Sequence, residues 1–213
     1  MFTGVITALV TPLRGDAVDE EALRRLVDEQ IASGIDGLVP VGTTGESPTL
    51  TNEEHLRVIQ LVVEAAKKRV PVIAGTGSNS TRETIEMSAA ARKVGADGLL
   101  LVTPYYNRPG QEHLYRHFKA VVEAVPLPSV LYNVPGRTGV DLLPATVGRL
   151  ARHPHIVALK EATPQVSRTS SRTRSRQGRA AGATAASSIA ATSRSIPCRT
   201  YPESKASLLG KYS

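Results

Sequence analysis

The chain has 213 residues, 41% of them hydrophobic, which suits one soluble globular domain with a sizeable core. The net charge of +7 is confined to one end, since residues 164–213 carry nine Lys and Arg against a single acid while residues 1–163 carry 17 against 18. A nearly neutral body gives no footprint for nucleic acid, and the lone cysteine, Cys198, excludes a disulfide framework within the chain.

Short runs rich in Val, Ile and Leu alternate with longer amphipathic stretches along the first three quarters of the sequence. In chain order the pattern predicts a strand over 5–10, a helix over 19–33, a strand over 37–41, a helix over 52–68 and a strand over 71–75. A helix over 80–94, a strand over 98–103, a helix over 111–124, a strand over 129–132, a helix over 144–152 and a strand over 156–160 follow. Thr51 and Ser80 stand as helix caps ahead of early acids, and Gly34 and Gly95 suit helix ends. No segment reaches the ~20 apolar residues of a membrane span, and no secretory leader pattern opens the chain, so a cytoplasmic location is expected.

Strands that are apolar on both faces and alternate with helices imply parallel βα units covered by helices. A doubly wound sheet normally carries a Gly-rich phosphate loop after its first strand, but here Thr11-Pro12-Leu13-Arg14 follows. A (β/α)8 TIM barrel instead gathers polar residues at the C-terminal ends of many strands, and Thr43, Thr44, Thr76, Tyr105, Tyr106, Tyr132, Asn133 and Lys160 occupy such positions. The barrel is the better fit, with about six of its eight strands visible.

Gly42-Thr43-Thr44-Gly45-Glu46 is either a polar turn or a carboxylate cradle of amides and hydroxyls. Tyr105 and Tyr106 suit proton relay or packing across a subunit interface, and Arg137, in a Pro-Gly loop, offers a fork that matches a carboxylate or faces solvent. Lys160 ends an apolar strand, where desolvation lowers the pKa of an amine and frees it to attack a carbonyl. Thr, Tyr, Arg and Lys at the ends of neighbouring strands point together to Schiff-base chemistry on a keto acid. His113 and His117 lie four apart on a predicted helix and are expected on its solvated face; no metal is expected.

The strings GTTGE (Gly42 to Glu46), PYYNRPG (Pro104 to Gly110), YNVPGRTG (Tyr132 to Gly139) and LKEAT (Leu159 to Thr163) closely resemble the dihydrodipicolinate synthase family. That family belongs to the pyruvate-dependent class I aldolases, which include N-acetylneuraminate lyase. The likeness runs from residue 1 to about 163. It implies a TIM-barrel lyase in which Lys160 forms a Schiff base with pyruvate, and in which Thr44, Gly42 and neighbouring amides hold the pyruvate carboxylate. It further implies that Tyr132, Thr43 and Tyr106 relay protons, with Tyr106 reaching in from a neighbouring subunit, and that Arg137 receives aspartate 4-semialdehyde. The condensation leads toward diaminopimelate and lysine, needs no cofactor, and belongs to a homotetramer built as a dimer of dimers. Ser47, His55, Asn79, Glu83 and Tyr105 match positions that form an allosteric lysine site in some members.

After Thr163 the family pattern gives way to an Arg/Ser/Ala/Thr-rich segment with no amphipathic period, expected to be disordered. The domain reading is therefore an incomplete barrel over 1–163 and a low-complexity basic tail over 164–213. A natural tail, a fusion scar and a shift of reading frame all fit, and the last is favoured. A barrel left open after six units is expected to expose strand edges, pack loosely and retain little synthase activity. The alternatives are another aldolase of the same superfamily, or a non-enzymatic remnant whose tail binds nucleic acid.

Overall fold

The computed structural model describes residues 2–163, so the basic segment 164–213 lies outside the described residues. β1 (Ile6–Ala8) is followed by a short antiparallel pair, β2 (Leu13–Arg14) and β3 (Ala17–Val18), which turns at Gly15 with φ +61°. α1 (Glu20–Ala32), β4 (Gly37–Val39), α2 (Asn52–Ala66), β5 (Ile73–Gly75), α3 (Thr81–Lys93) and β6 (Gly98–Val102) come next. α4 (Gln111–Ala124), β7 (Ser129–Asn133), α5 (Pro135–Thr138), α6 (Pro144–Leu150) and β8 (Ile156–Glu161) complete the described chain.

β1 pairs in parallel with β4, and β5, β6, β7 and β8 form a parallel series in that order. A bridge between Leu38 and Val72, with the Leu38 amide donating to Pro71 O at 3.0 Å, joins β4 to β5. Six parallel strands therefore run in sequence order through βα units, as in a (β/α)8 barrel. Among the described residues β1 and β8 form no ladder with each other, so the six make an arc.

Alternation along each strand divides the apolar residues between two layers. Ile6, Val39, Ile73, Leu100 and Val130, with Ala158 packed beside them, place one residue from each of the six strands on the inner face. Leu38, Val72, Leu99, Leu101 and Leu131 face outward and pack with Val58, Ile59, Leu114 and Phe118 of the helices. Each fully buried side chain of this size contributes roughly 1.5–3 kcal/mol relative to exposure.

The helix starts follow the caps in the sequence. Asp19 accepts from the Ala22 amide at 3.0 Å, and Ser80 accepts from Glu83 N at 3.3 Å. Thr51 and Glu54 form a reciprocal capping box, at 3.2 and 2.9 Å. Gly34 and Gly95, at φ +84° and +95°, terminate helices as expected.

Several elements depart from their predicted bounds. The first strand is three residues rather than six, and its predicted ends, Val5 and Val10, are 54% and 41% exposed. The second long helix stops at Ala66 because Lys67 and Lys68 both turn left-handed, with the Lys68 amine fixed to Asp97 Oδ1 at 2.8 Å and Gly95 O at 3.0 Å. Residues 135–138, read as a rigid loop, form the helical turn α5. His113 is exposed, but His117 is buried against Phe118 with Nδ1 2.9 Å from Thr81 Oγ1, so the two do not share a solvated face. Burial pushes the His117 pKa down to about 4.

Gly75 ends β5 against the backbone that leaves β4, where a Cβ would stand 2.4 Å from Val41 O. Val41 itself is left-handed at φ +48°, a strained conformation for a β-branched residue, so it has little freedom to withdraw. Gly75→Ala is expected to destabilise the chain by about 1–3 kcal/mol, read as a lowered urea midpoint at unchanged slope.

Candidate active site

The C-terminal ends of β7 and β8 place Tyr132 opposite Lys160 in parallel register. The Lys160 amine sits 4.4 Å from the centroid of the Tyr132 ring, and the two residues are 8% and 6% exposed. Desolvation lowers the Lys160 pKa, so the neutral, nucleophilic amine persists to lower pH than in an exposed lysine. The ring face offsets part of this by attracting an ammonium, but burial is the cause that prevails.

Tyr132 also lines a cleft of about 560 Å³ at the mouth of the arc. Thr43, Ser47, Tyr105, Tyr106, Arg108 and Arg137 stand on its wall, which among the described residues carries two guanidiniums and no carboxylate. Lys160 and Thr44 are not on that wall; Lys160 meets it across the Tyr132 ring.

Thr43 and Thr44 lie in a 3-10 turn (Thr43–Gly45) that starts at Gly42. The Gly45 and Ser47 amides donate to Gly42 O at 3.0 and 3.4 Å, the Glu46 amide donates to Thr43 O at 3.2 Å, and the Thr11 hydroxyl donates to Gly45 O at 2.7 Å. These bonds fasten the turn beside β1 without using the Thr43 or Thr44 N–H. Tyr106 is 90% exposed at φ +69°, and Arg108 is left-handed at φ +47° with its Nε donating to Gly139 O at 3.3 Å. That bond ties the tyrosine loop to α5, which carries the exposed Arg137.

Of the five residues matched to a lysine site, Ser47 and Tyr105 share the cleft wall. His55 is buried, with Nε2 2.7 Å from the carbonyl of Gly75, another wall residue. Burial lowers the His55 pKa, against opposing contributions from the Gly75 carbonyl and Glu83. Glu83 accepts from the Ser78 hydroxyl at 2.6 Å, and Asn79 O accepts from the Asn107 amide at 3.3 Å. The hydrogen bonds therefore join His55 and Asn79 to the cleft's surroundings, while Glu83 is held at the start of α3.

Sequence reasoning gives no role to Arg108 or to Asn133, although both lie inside motif strings. Arg108 is found through its place on the cleft wall and its bond to Gly139, 31 residues away. Asn133 is fully buried, and its amide nitrogen donates to Asp141 Oδ1 at 2.9 Å and Glu161 Oε1 at 2.8 Å.

A model of the dihydrodipicolinate synthetase family matches residues 1–183. The chain belongs to that family. It is 64% identical over 170 residues to the 4-hydroxy-tetrahydrodipicolinate synthase of Pelobacter propionicus, covering 80% of this chain and 59% of that protein. It is 65% identical to the enzyme of the same name from Geotalea uraniireducens, with the same coverage. Among solved structures, the chloride-inhibited dihydrodipicolinate synthase of Acinetobacter baumannii complexed with pyruvate is 53% identical, at a TM-score of 0.82 over 84% of this chain and 62% of that one. The dihydrodipicolinate synthase of Cyanidioschyzon merolae with lysine bound is 43% identical, at a TM-score of 0.79 over 82% and 60%. The described residues carry the family's TIM barrel through five βα units and a sixth strand, and the chain spans about 59% of the length of the curated relatives it matches. Among the described residues no helix is long and apolar enough to cross a membrane.

Because burial depresses the Lys160 pKa, its neutral fraction falls only at a pH below that at which exposed lysines protonate. Competitive acetylation followed by mass mapping is expected to show Lys160 titrating below Lys119, which is exposed on α4 and whose pKa is raised by its hydrogen bond to Glu123.

Proposed function

We propose that this chain acts as a 4-hydroxy-tetrahydrodipicolinate synthase, a class I aldolase-type lyase that condenses pyruvate with L-aspartate 4-semialdehyde on the route to diaminopimelate and lysine. The observation that carries the proposal is the desolvated Lys160 amine beside Tyr132 at the strand ends.

The neutral Lys160 amine adds to the ketone carbon of pyruvate, and the carbinolamine loses its oxygen as water to leave an imine. A methyl proton then departs to give an enamine, whose carbon attacks the aldehyde carbon of the second substrate and forms the new C–C bond. The amino group of the second substrate then attacks the imine carbon, closing the ring and expelling the Lys160 amine in its free form. Tyr132 is the proton carrier, as a hydroxylated ring beside the amine, with Thr43 and Tyr106 on the same cleft wall completing the relay. Thr44, Gly42 and the Thr43 and Thr44 amides hold the pyruvate carboxylate, a role supported by amides left unused in the bonding of their turn. Arg137 grips the carboxylate of the aldehyde in two places. The scheme calls on no cofactor or metal.

The exposure of Tyr106 and its left-handed backbone support a role completed by a neighbouring subunit in a homotetramer built as a dimer of dimers. Ser47, His55, Asn79, Glu83 and Tyr105 are proposed to form a lysine-responsive site beside the cleft, and the compartment is proposed to be the cytoplasm. The domain division proposed is catalytic for 1–163 and non-catalytic for 164–213.

Cyanoborohydride reduction in the presence of pyruvate, followed by mass mapping, is expected to place the adduct on Lys160. An adduct on any other lysine, or none in folded protein, would remove the mechanism.

A further inference from the structure

We infer that Asn133 is a positioning residue that sets Lys160 and the Arg137 turn in one frame; the inference rests on the Schiff-base reading of Lys160. Successive strand residues face opposite sides. In the register that places Tyr132 opposite Lys160 on the inner side, Asn133 stands opposite Glu161 on the outer side. Asn133 is fully buried and uses every hydrogen-bonding group of its side chain. Its amide nitrogen donates to Glu161 Oε1 at 2.8 Å and Asp141 Oδ1 at 2.9 Å, and its Oδ1 accepts from Leu142 N at 2.9 Å. Its backbone carbonyl accepts from Ala162 N at 2.9 Å.

The orientation of this amide is fixed by chemistry. Two carboxylates accept and one N–H donates, so only the NH2 can face the acids and only the oxygen can face Leu142. The consequence is geometric. Glu161 and Ala162 flank and follow Lys160, so the bonds to them hold the end of β8 against β7. Asp141 and Leu142 close the loop that leaves β7 and carries α5 with Arg137, so the same side chain pins the base of that loop. One amide thereby fixes the amine proposed to bind the first substrate relative to the guanidinium proposed to bind the second.

Asn133→Asp is the discriminating variant, because it keeps the shape but turns the two donated hydrogens into an oxygen facing two carboxylates. Crowding three acids raises the pKa of one of them in the folded state, so the stability of the variant is present at low pH and lost as pH rises through that value. Pyruvate-dependent cyanoborohydride trapping at Lys160 in the 213-residue chain, measured as the ratio of variant to unsubstituted protein, is expected to be about a tenth near pH 8, the loss of a charge-assisted hydrogen bond. The ratio is expected to recover to within about twofold near pH 5.5, where one acid regains a proton to donate. The double variant N133D/E161Q exchanges carboxylate and carboxamide across the pair, and is expected to restore much of the trapping near pH 8. A ratio close to one near pH 8, or a loss of equal size at both pH values, overturns the inference. If the unsubstituted chain gives no adduct at Lys160, the Schiff-base reading fails by itself. The positioning role is then read from the acetylation rate of Lys160 in the same variants, with the same ratios expected and the same results overturning it.

Discussion

The parallel register between β7 and β8 is the constraint on which the site depends. It sets Tyr132 against Lys160 and, one residue on, Asn133 against Glu161. Because side chains alternate between faces, a slip of one residue would carry the amine out to the helical layer and bring a carboxylate in. The ladder is irregular between Ser129 and Val130, where Ser129 faces Ile156 and Val130 faces Ala158. The extra residue, Val157, is absorbed early in the strand, and the pairing that matters chemically is regular from Val130 onward. Apolar packing supports that choice: Val130 and Tyr132 join the inner layer while Leu131 joins the outer one.

Close backbone approach is the second requirement. The chain leaving β4 passes the end of β5 so tightly that Gly75 admits no side chain, and Gly77 lies equally close to Val102 N. Val41 is held left-handed at this crossing, and it stands just before the Gly42 turn. Such a conformation costs on the order of 1–3 kcal/mol and persists only where surrounding contacts over-determine it. Those contacts are visible: Gly75 N donates to Pro40 O at 3.1 Å, and the following turn is fastened by Thr11. The wall of the cleft is thus rigid on the threonine side. On the tyrosine side, Tyr106 and Arg108 are strained but exposed, with fewer bonds to hold them.

Legibility in the sequence follows the range of the interaction responsible. The βα alternation, the caps at Thr51 and Ser80 and the glycine helix ends arise from local periodicity and local hydrogen bonds, and they appear where predicted. The end of α2 was missed because Lys67 and Lys68 have no intrinsic preference for the left-handed region; the bond from Lys68 to Asp97, 29 residues on, holds the turn there. The burial of His117 was missed for a related reason, since a helix face is declared solvated from its own sequence but buried by its neighbours. Lys160, Tyr132 and Arg137 were legible as a family pattern. Asn133 lay in the same string, yet its role emerges only from partners at positions 141, 142 and 161.

The burial of Lys160 is also more specific than its strand. The residues before it, Val157, Ala158 and Leu159, are only partly buried, whereas all of β7 is buried. An amine on such a strand would ordinarily extend its stem and place its charge in water. Lys160 does not, because the Tyr132 ring stands over its Nζ. The cross-strand ring is thus part of the surroundings that bury the amine and lower its pKa. That arrangement favours the neutral amine more than an exposed site would, one ring away from a cleft lined by guanidiniums.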